Sequence, residues 1–137
     1  MSDFGNILLL IACLLSIMHV FSPSNFYRPI ASLLFLSVSV SMAILIYCHV
    51  TDNFSLENVY YHSHTTKPLL YKICGVWGNK EGSMLLWTLV LTLYLLLMNT
   101  FIDNKNKLKK TSIITQSLIC FCFLLFTLVE SSPFSKM

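Results

Sequence analysis

Charge is what this sequence has least of. Acidic and basic side chains make up 11% of its 137 residues, against about a quarter in a soluble domain. Such a chain lacks the polar surface that keeps a folded unit in water. With 55% hydrophobic residues and a mean hydropathy of +0.71, it is built for lipid. Glycine is nearly as scarce, four residues in all, and neither a P-loop nor a dinucleotide fingerprint is present. There is no nucleophile elbow, no HExxH, no internal repeat and no heptad, so nothing reads as a self-contained catalytic site. The net charge of +3 is too modest to call for nucleic acid, and no such partner is expected.

The five cysteines are scattered, four of them in apolar runs, which excludes a disulfide framework and a zinc spacing. Cys120 and Cys122 would point roughly 200° apart on a helix, so they read as small buried hydrophobes and not as a redox pair. The N-terminus, MSDFGN, has no positive segment and no small-residue cleavage site follows. The first apolar run is therefore expected to remain as a span, not to leave as a signal peptide.

Four apolar runs are present, at about 5–21, 30–50, 84–102 and 112–129. Each approaches the ~20 residues a helix needs to cross a bilayer core. The expected fold class is therefore an all-α integral membrane protein, one membrane domain over 1–137, with four transmembrane helices. The connection at 103–111 carries Lys105, Lys107, Lys109 and Lys110, the densest basic run in the chain. By the positive-inside rule it stays on the cytoplasmic or matrix side, and Arg28 in the other inside loop agrees. The same run also suits anionic lipid head groups. Both termini and the connection 51–83 then face the opposite side. Within that connection Leu69, Leu70, Ile73, Cys74 and Trp77 recur at helical spacing after Pro68, with Lys72 off that face. A short amphipathic helix lying in the interface, apolar side down, is expected there.

Three of the four glycines fall in GVWGNKEGSMLLW, Gly75–Trp87, where two tryptophans bracket a Lys-Glu pair at the mouth of the third apolar run. Glu81 at this place meets the positive end of a helix dipole. Gly78 and Gly82 also permit close approach of a partner backbone or flat ligand, with Glu81 as a partner contact. His62 and His64 would share one side of an extended loop, but no third ligand stands at a metal spacing, so no metal is expected. His19 and His49, at the ends of runs one and two, read as boundary histidines on opposite sides of the membrane. The sequon Asn53-Phe54-Ser55 carries no weight.

The stretch VWGNKEGSMLLW resembles the WGxHEGSLLLW signature of the CcmF/NrfE family, the membrane haem lyase component of cytochrome c maturation. The likeness extends to DNFSLENVYYHSHTTKPLLY before it and FLLFTLVESSPF near the end of the chain. Trp77, Gly78, Glu81, Gly82, Ser83, Leu85, Leu86 and Trp87 match the signature. Lys80 stands where the family usually has histidine, and Asn79 where it has a small residue. The family is several times longer, and its tryptophan-rich external segment and haem-flanking histidines are not among these residues. The resemblance thus implies an N-terminal part of a haem lyase, of the kind a split mitochondrial-type version provides, supporting covalent attachment of haem to apocytochrome c.

On that reading haem is handled by the assembly, with no ligand from this chain and no catalysis by it alone. Its partners are the remaining haem lyase polypeptides with the tryptophan-rich segment, apocytochrome c, haem-delivery proteins and membrane lipid. Trp77, Gly78, Glu81, Gly82, Ser83 and Trp87 form the partner contact, Glu81 fixing a neighbouring helix or loop by a hydrogen bond. The location is a mitochondrial or bacterial inner membrane. A small structural subunit of a respiratory or transport complex, or a non-functional remnant, stands as the alternative.

Overall fold

A computed structural model describes residues 2–136. Four long helices dominate it: α1 (Ser2–Phe21), α2 (Tyr27–Val50), α5 (Lys80–Phe101) and α6 (Lys107–Val129). All four are long and apolar enough to cross a membrane. Two short helices, α3 (Glu57–His62) and α4 (Leu69–Gly75), occupy the connection between α2 and α5. Among the described residues there is no strand, only an isolated bridge between Leu56 and Lys136.

Local chemistry sets the ends of these helices, and they overrun the apolar stretches. A 3₁₀ turn at Ser24–Phe26 follows Pro23, and α2 starts at once. Pro29 falls in its first turn, where a missing N–H has no intrahelical acceptor to serve. Helix α5 begins at Lys80 because the Asn79 side chain accepts from the Gly82 amide at 2.7 Å, a side-chain N-cap. Asn106 does the same for α6, accepting from Leu108 at 3.0 Å. At the far end of α2, Asp52 takes a positive φ of 52°. Its amide donates to the His49 carbonyl and that of Asn53 to the Cys48 carbonyl, so the helix closes in a Schellman motif with aspartate where glycine is usual.

The four long helices form a ring in which α1 packs on α2 and α6, and α5 packs on α2 and α6. Every neighbouring pair is antiparallel, so both termini and the connection 51–79 share one end of the bundle. The two short loops share the other. The interior is small and hydroxyl-rich: Ala12, Ser16, Ala31, Ser41, Thr92 and Ser117 are fully buried. Hydroxyls there donate back to their own helices, as Ser16 does to Cys13 at 2.7 Å and Thr92 to Leu89 at 2.9 Å. Large apolar side chains such as Leu14, Phe21, Leu36 and Leu118 point outward. This is the packing expected in lipid, where close backbone approach replaces the hydrophobic drive.

His19 and His49 depart from the expectation of boundary side chains, since both are fully buried. His19 is locked across helices, with Nδ1 2.7 Å from the Ser117 hydroxyl and Nε2 3.0 Å from the Tyr27 carbonyl. A carbonyl only accepts, so Nε2 carries the proton. His49 Nδ1 lies 3.1 Å from the Leu45 carbonyl. Internal acceptors outweigh the reach to water at these two positions.

Candidate partner-docking platform

The end of the bundle that holds the termini is stitched by side chains far apart in sequence. Asn58 on α3 and Asn79 before α5 exchange amide hydrogen bonds of 3.2 and 3.0 Å. Asn79 also donates to the Gly75 carbonyl at 3.3 Å while capping Gly82. One buried amide therefore organises the whole glycine-rich corner. Gly82 is required by space: a Cβ there would lie 1.6 Å from the Val76 carbonyl oxygen. Gly78 is exposed, with nothing closer than 3.6 Å to an added Cβ.

The C-terminal corner folds back onto the same end. Phe134 is 1% exposed and its ring covers Gly5, where a Cβ would lie 2.5 Å from it. The Glu57 amide donates to the Ser135 carbonyl at 3.0 Å, Ser135 Oγ donates to the Glu57 carboxylate at 3.1 Å, and Lys136 pairs with Asp3 at 2.8 Å.

Helix α4 turns its lysine toward the bundle and its leucines away from the protein. Lys72 is the buried residue, forming an ion pair with Asp52 beside the α2 terminus, and Ser63 donates to the other Asp52 oxygen at 3.2 Å. The hydrogen bond from Lys72, reinforced by that from Ser63, holds the Asp52 carboxyl below its ordinary value of 3.8 against the opposing effect of burial. With lysine inward, Leu69, Leu70 and Tyr71 are turned away from the protein, and Leu70 is 75% exposed. A charged pair turned inward and an apolar face turned outward suit a lipid interface or a partner, not bulk water.

The residues singled out in the sequence do not converge on one point. Trp77 and Trp87 are exposed, Trp87 at 62%. Ser83 closes locally on the Lys80 carbonyl at 3.1 Å. Glu81 sits in the first turn of α5 and makes no hydrogen bond among the described residues. It lines a small cleft of about 80 Å³ with Glu57, Asn58, Tyr61, His62 and Ser132. Lys80 closes the end of another helix. Its Nζ lies 3.4 Å from the Glu130 carbonyl at the end of α6 and 5.6 Å from the Phe126 ring centre. A cation there complements the negative end of the α6 dipole. His62 closes α3 with Nδ1 3.0 Å from the Asn58 carbonyl, so it does not share an extended strand with His64. Helix α3 itself is not foreseen from the sequence; Leu56 and Val59, both fully buried, are its only apolar signal.

These features define a four-helix integral membrane protein with a rigid platform at one end. Its relatives are specific. It is 43% identical over 104 residues to the cytochrome c-type biogenesis protein CycK of Rhizobium meliloti, 75% of this chain and 15% of that protein. It is 47% identical over 108 residues to CycK of Bradyrhizobium diazoefficiens, 78% and 16%. The cytochrome c-type biogenesis protein CcmF of Haemophilus influenzae is 32% identical over 112 residues, 80% and 17%. Among solved structures, a cytochrome c haem lyase CcmF superposes with a TM-score of 0.80 at 26% identity, over 98% of this chain and 24% of that one. No protein-family model matches the chain. The chain is thus related, over most of its own length, to the CcmF/NrfE family of cytochrome c-type biogenesis proteins. It spans about a sixth of the length of the curated relatives it matches.

The residues present do not make a haem site. Both ring nitrogens of His19 face hydrogen-bond partners within the fold. His49 Nε2 has no partner, but the ring is fully enclosed at the opposite end of the bundle. Among the described residues no three His, Cys, Asp or Glu side chains come together to hold a metal ion. No step of haem chemistry is therefore assigned to these side chains.

Proposed function

We propose that this chain is the N-terminal portion of a cytochrome c haem lyase, acting with the remaining lyase polypeptides to support covalent attachment of haem to apocytochrome c. Its part is structural. It supplies four membrane helices and a preorganised platform on which the segments that bind haem and apocytochrome dock. The observation that carries this reading is the platform itself: Asn79 and Gly82 fix the corner rigidly, while Trp77 and Trp87 beside it are left exposed. Exposed aromatic anchors on a rigid support are what a docking surface needs. Trp77, Gly78, Glu81, Ser83 and Trp87 are the proposed contact residues, and Gly82, buried against the Val76 carbonyl, supports them from within. The chain sits in an inner membrane, bacterial or mitochondrial. Arg28, Lys105, Lys107, Lys109 and Lys110 hold the loop end inside, and the platform faces the periplasm or intermembrane space.

The test is affinity isolation of the chain in mild detergent, with mass spectrometry and a haem absorption spectrum. Recovery of polypeptides bearing a tryptophan-rich segment, with haem, is expected, and Trp77→Ala with Glu81→Gln should release them and lower covalent haem on c-type cytochromes. Recovery with respiratory subunits and an unchanged cytochrome content would overturn the proposal.

A further inference from the structure

The outward faces of the four long helices are not alike. On α1 every exposed side chain from Phe4 to Phe21 is apolar. Hydroxyls on the outer faces of α2 and α6 bond their own helix: Ser32 donates to the Arg28 carbonyl, Ser37 to that of Leu33 and Thr115 to that of Thr111, each at 2.9 Å. Tyr94 on α5 is different. It is 57% exposed, its ring carries the hydroxyl too far out to reach its own backbone, and no other described residue bonds it. Within the apolar run 84–102 it stands ten residues from Met84 and eight from Ile102. At the helical rise these are about 15 and 12 Å, so Tyr94 lies near the middle of a bilayer core about 30 Å thick. A long side chain on a helix leans toward the N-terminus, here toward the midplane, and water is out of reach. A hydroxyl in that position is costly until a protein group bonds it.

Gln116 on α6 adds a second polar group at nearly the same depth. Its amide nitrogen donates to the Leu91 carbonyl of α5 at 3.0 Å, less than one turn from Tyr94. Its amide oxygen accepts from nothing among the described residues. Leu91 lies seven residues after Met84, and Gln116 seven before Phe123, so each pair shares one helix face two turns apart. Met84 and Phe123, with Cys122 and Phe126, line an open apolar groove of about 380 Å³ between α5 and α6. The line of this groove runs from the platform, where Lys80 lies over the Phe126 ring, to the two polar groups at mid-depth.

We propose that the α5–α6 groove seats one transmembrane helix of the remaining lyase polypeptide, apolar but for a small polar side chain at mid-depth. A serine, threonine or asparagine both accepts, from the Tyr94 hydroxyl, and donates, to the Gln116 amide oxygen. Such small polar residues also let two helices approach closely in lipid. The inference rests on the function proposed above. Size names the occupant: a haem lyase structure fits 98% of this chain, which covers only 24% of it, so most of that protein lies outside the four helices matched here. Continuity agrees, because a helix in the groove leaves the membrane beside Lys80 and Trp87, at the proposed contact surface.

The test is photo-crosslinking of the full chain in its native membrane. A benzophenone amino acid is placed at Cys122 in the groove or at Ile119 beside it, with Leu14 of α1 and Leu36 of α2 as controls, all four exposed. The groove positions should both capture one apolar peptide of a lyase polypeptide, and the controls should not. Tyr94→Phe deletes only the hydroxyl and should lower recovery of that polypeptide in mild detergent by about three- to tenfold. The amount of the chain in the membrane and its helical circular dichroism should stay the same, since the hydroxyl makes no bond within the chain. Capture of lyase peptides at Leu14 or Leu36 as readily as in the groove would overturn this inference and leave the proposed function standing. Recovery of no lyase polypeptide by any route would overturn both. Adducts between two copies of this chain would replace the lyase helix by a second copy, and adducts with lipid alone would overturn a protein occupant. Unchanged recovery with Tyr94→Phe would overturn recognition through the hydroxyl.

Discussion

At the platform end, residues from both termini and from the long connection are held together by the Asn58–Asn79 amide pair, the Asp52–Lys72 ion pair and Phe134 on Gly5. At the basic end the chain turns in two short loops whose bonds are mostly local, such as Asn106 to Leu108 and Lys109 to Asn104, and a buried acceptor on Asn99 is left open. The first end joins segments far apart in sequence and presents apolar and aromatic side chains outward, with His49 Nε2 and Ser131 Oγ buried there without partners. The second is held mostly by local bonds and presents open polar clefts. The difference teaches which end the tertiary structure preorganises, and on the function proposed above that end is the one that receives partner chains.

That contrast can be broken most severely at Gly82. Gly82→Ala forces a Cβ into the Val76 carbonyl, and a loss of more than about 4 kcal/mol is expected, in the exceptional range for a single substitution. Thermal unfolding in detergent should show it, with early proteolysis between α4 and α5. Next comes Phe134→Ala, which empties the space over Gly5 and should cost about 3–5 kcal/mol. Limited proteolysis should then release the C-terminal corner while the four long helices keep their circular dichroism. Asn79→Ala removes the α5 cap and leaves Asn58 unpaired in a buried site; about 2 kcal/mol is expected. The corresponding change at the basic end, Asn106→Ala, breaks one exposed cap bond and should cost only about 0.5–1 kcal/mol. Equal effects from the two asparagines would erase the distinction between the ends.

The last prediction sharpens the comparison with pH. The Asp52 carboxyl is held below 3.8 in the folded chain, chiefly by the hydrogen bond from Lys72. A carboxylate with a lowered folded pKa contributes stability that is complete above the unfolded value and is lost as pH falls through the folded one. The anchoring of α4 to α2 should therefore be independent of pH above about 5 and weaken below 3.8. Amide exchange at Ile73–Val76 across an acid titration reads this directly. Asp52→Asn should abolish the acid dependence and leave the same amides poorly protected already at neutral pH, because Lys72 then lacks its counter-charge.

Much of the architecture is legible in the sequence. The runs of apolar residues foretell four long helices, because a chain with so little charge has no other way to satisfy its backbone in lipid than by helices. The signature around Trp77–Trp87 points to the family that the relatives then show. What escapes is short or cooperative. Helix α3 is six residues long, too short for periodicity to register, and it exists because Asn58 and Val59 are pinned against the bundle. The inward turn of Lys72 cannot be read from α4 alone, since its amphipathic pattern is the same whichever side the bundle lies on. His19 and His49 are misplaced for a similar reason: a position at the end of an apolar run says nothing about the carbonyl or hydroxyl that another helix brings within reach. Lys80 looks like a departure from the family signature, and only the fold shows that it closes on the end of α6.

The sequence by itself determined the solvent, the number of long helices, their alternation of direction and which loop is basic, because these follow from composition and spacing along one chain. The tertiary structure alone decided which face of each helix turns inward, which polar groups meet and which are left open. Those outcomes depend on pairs of residues distant in sequence, Asn58 with Asn79, Asp52 with Lys72, Gly5 with Phe134. Whether a polar side chain is costly or stabilising is settled only by the partner that packing delivers to it.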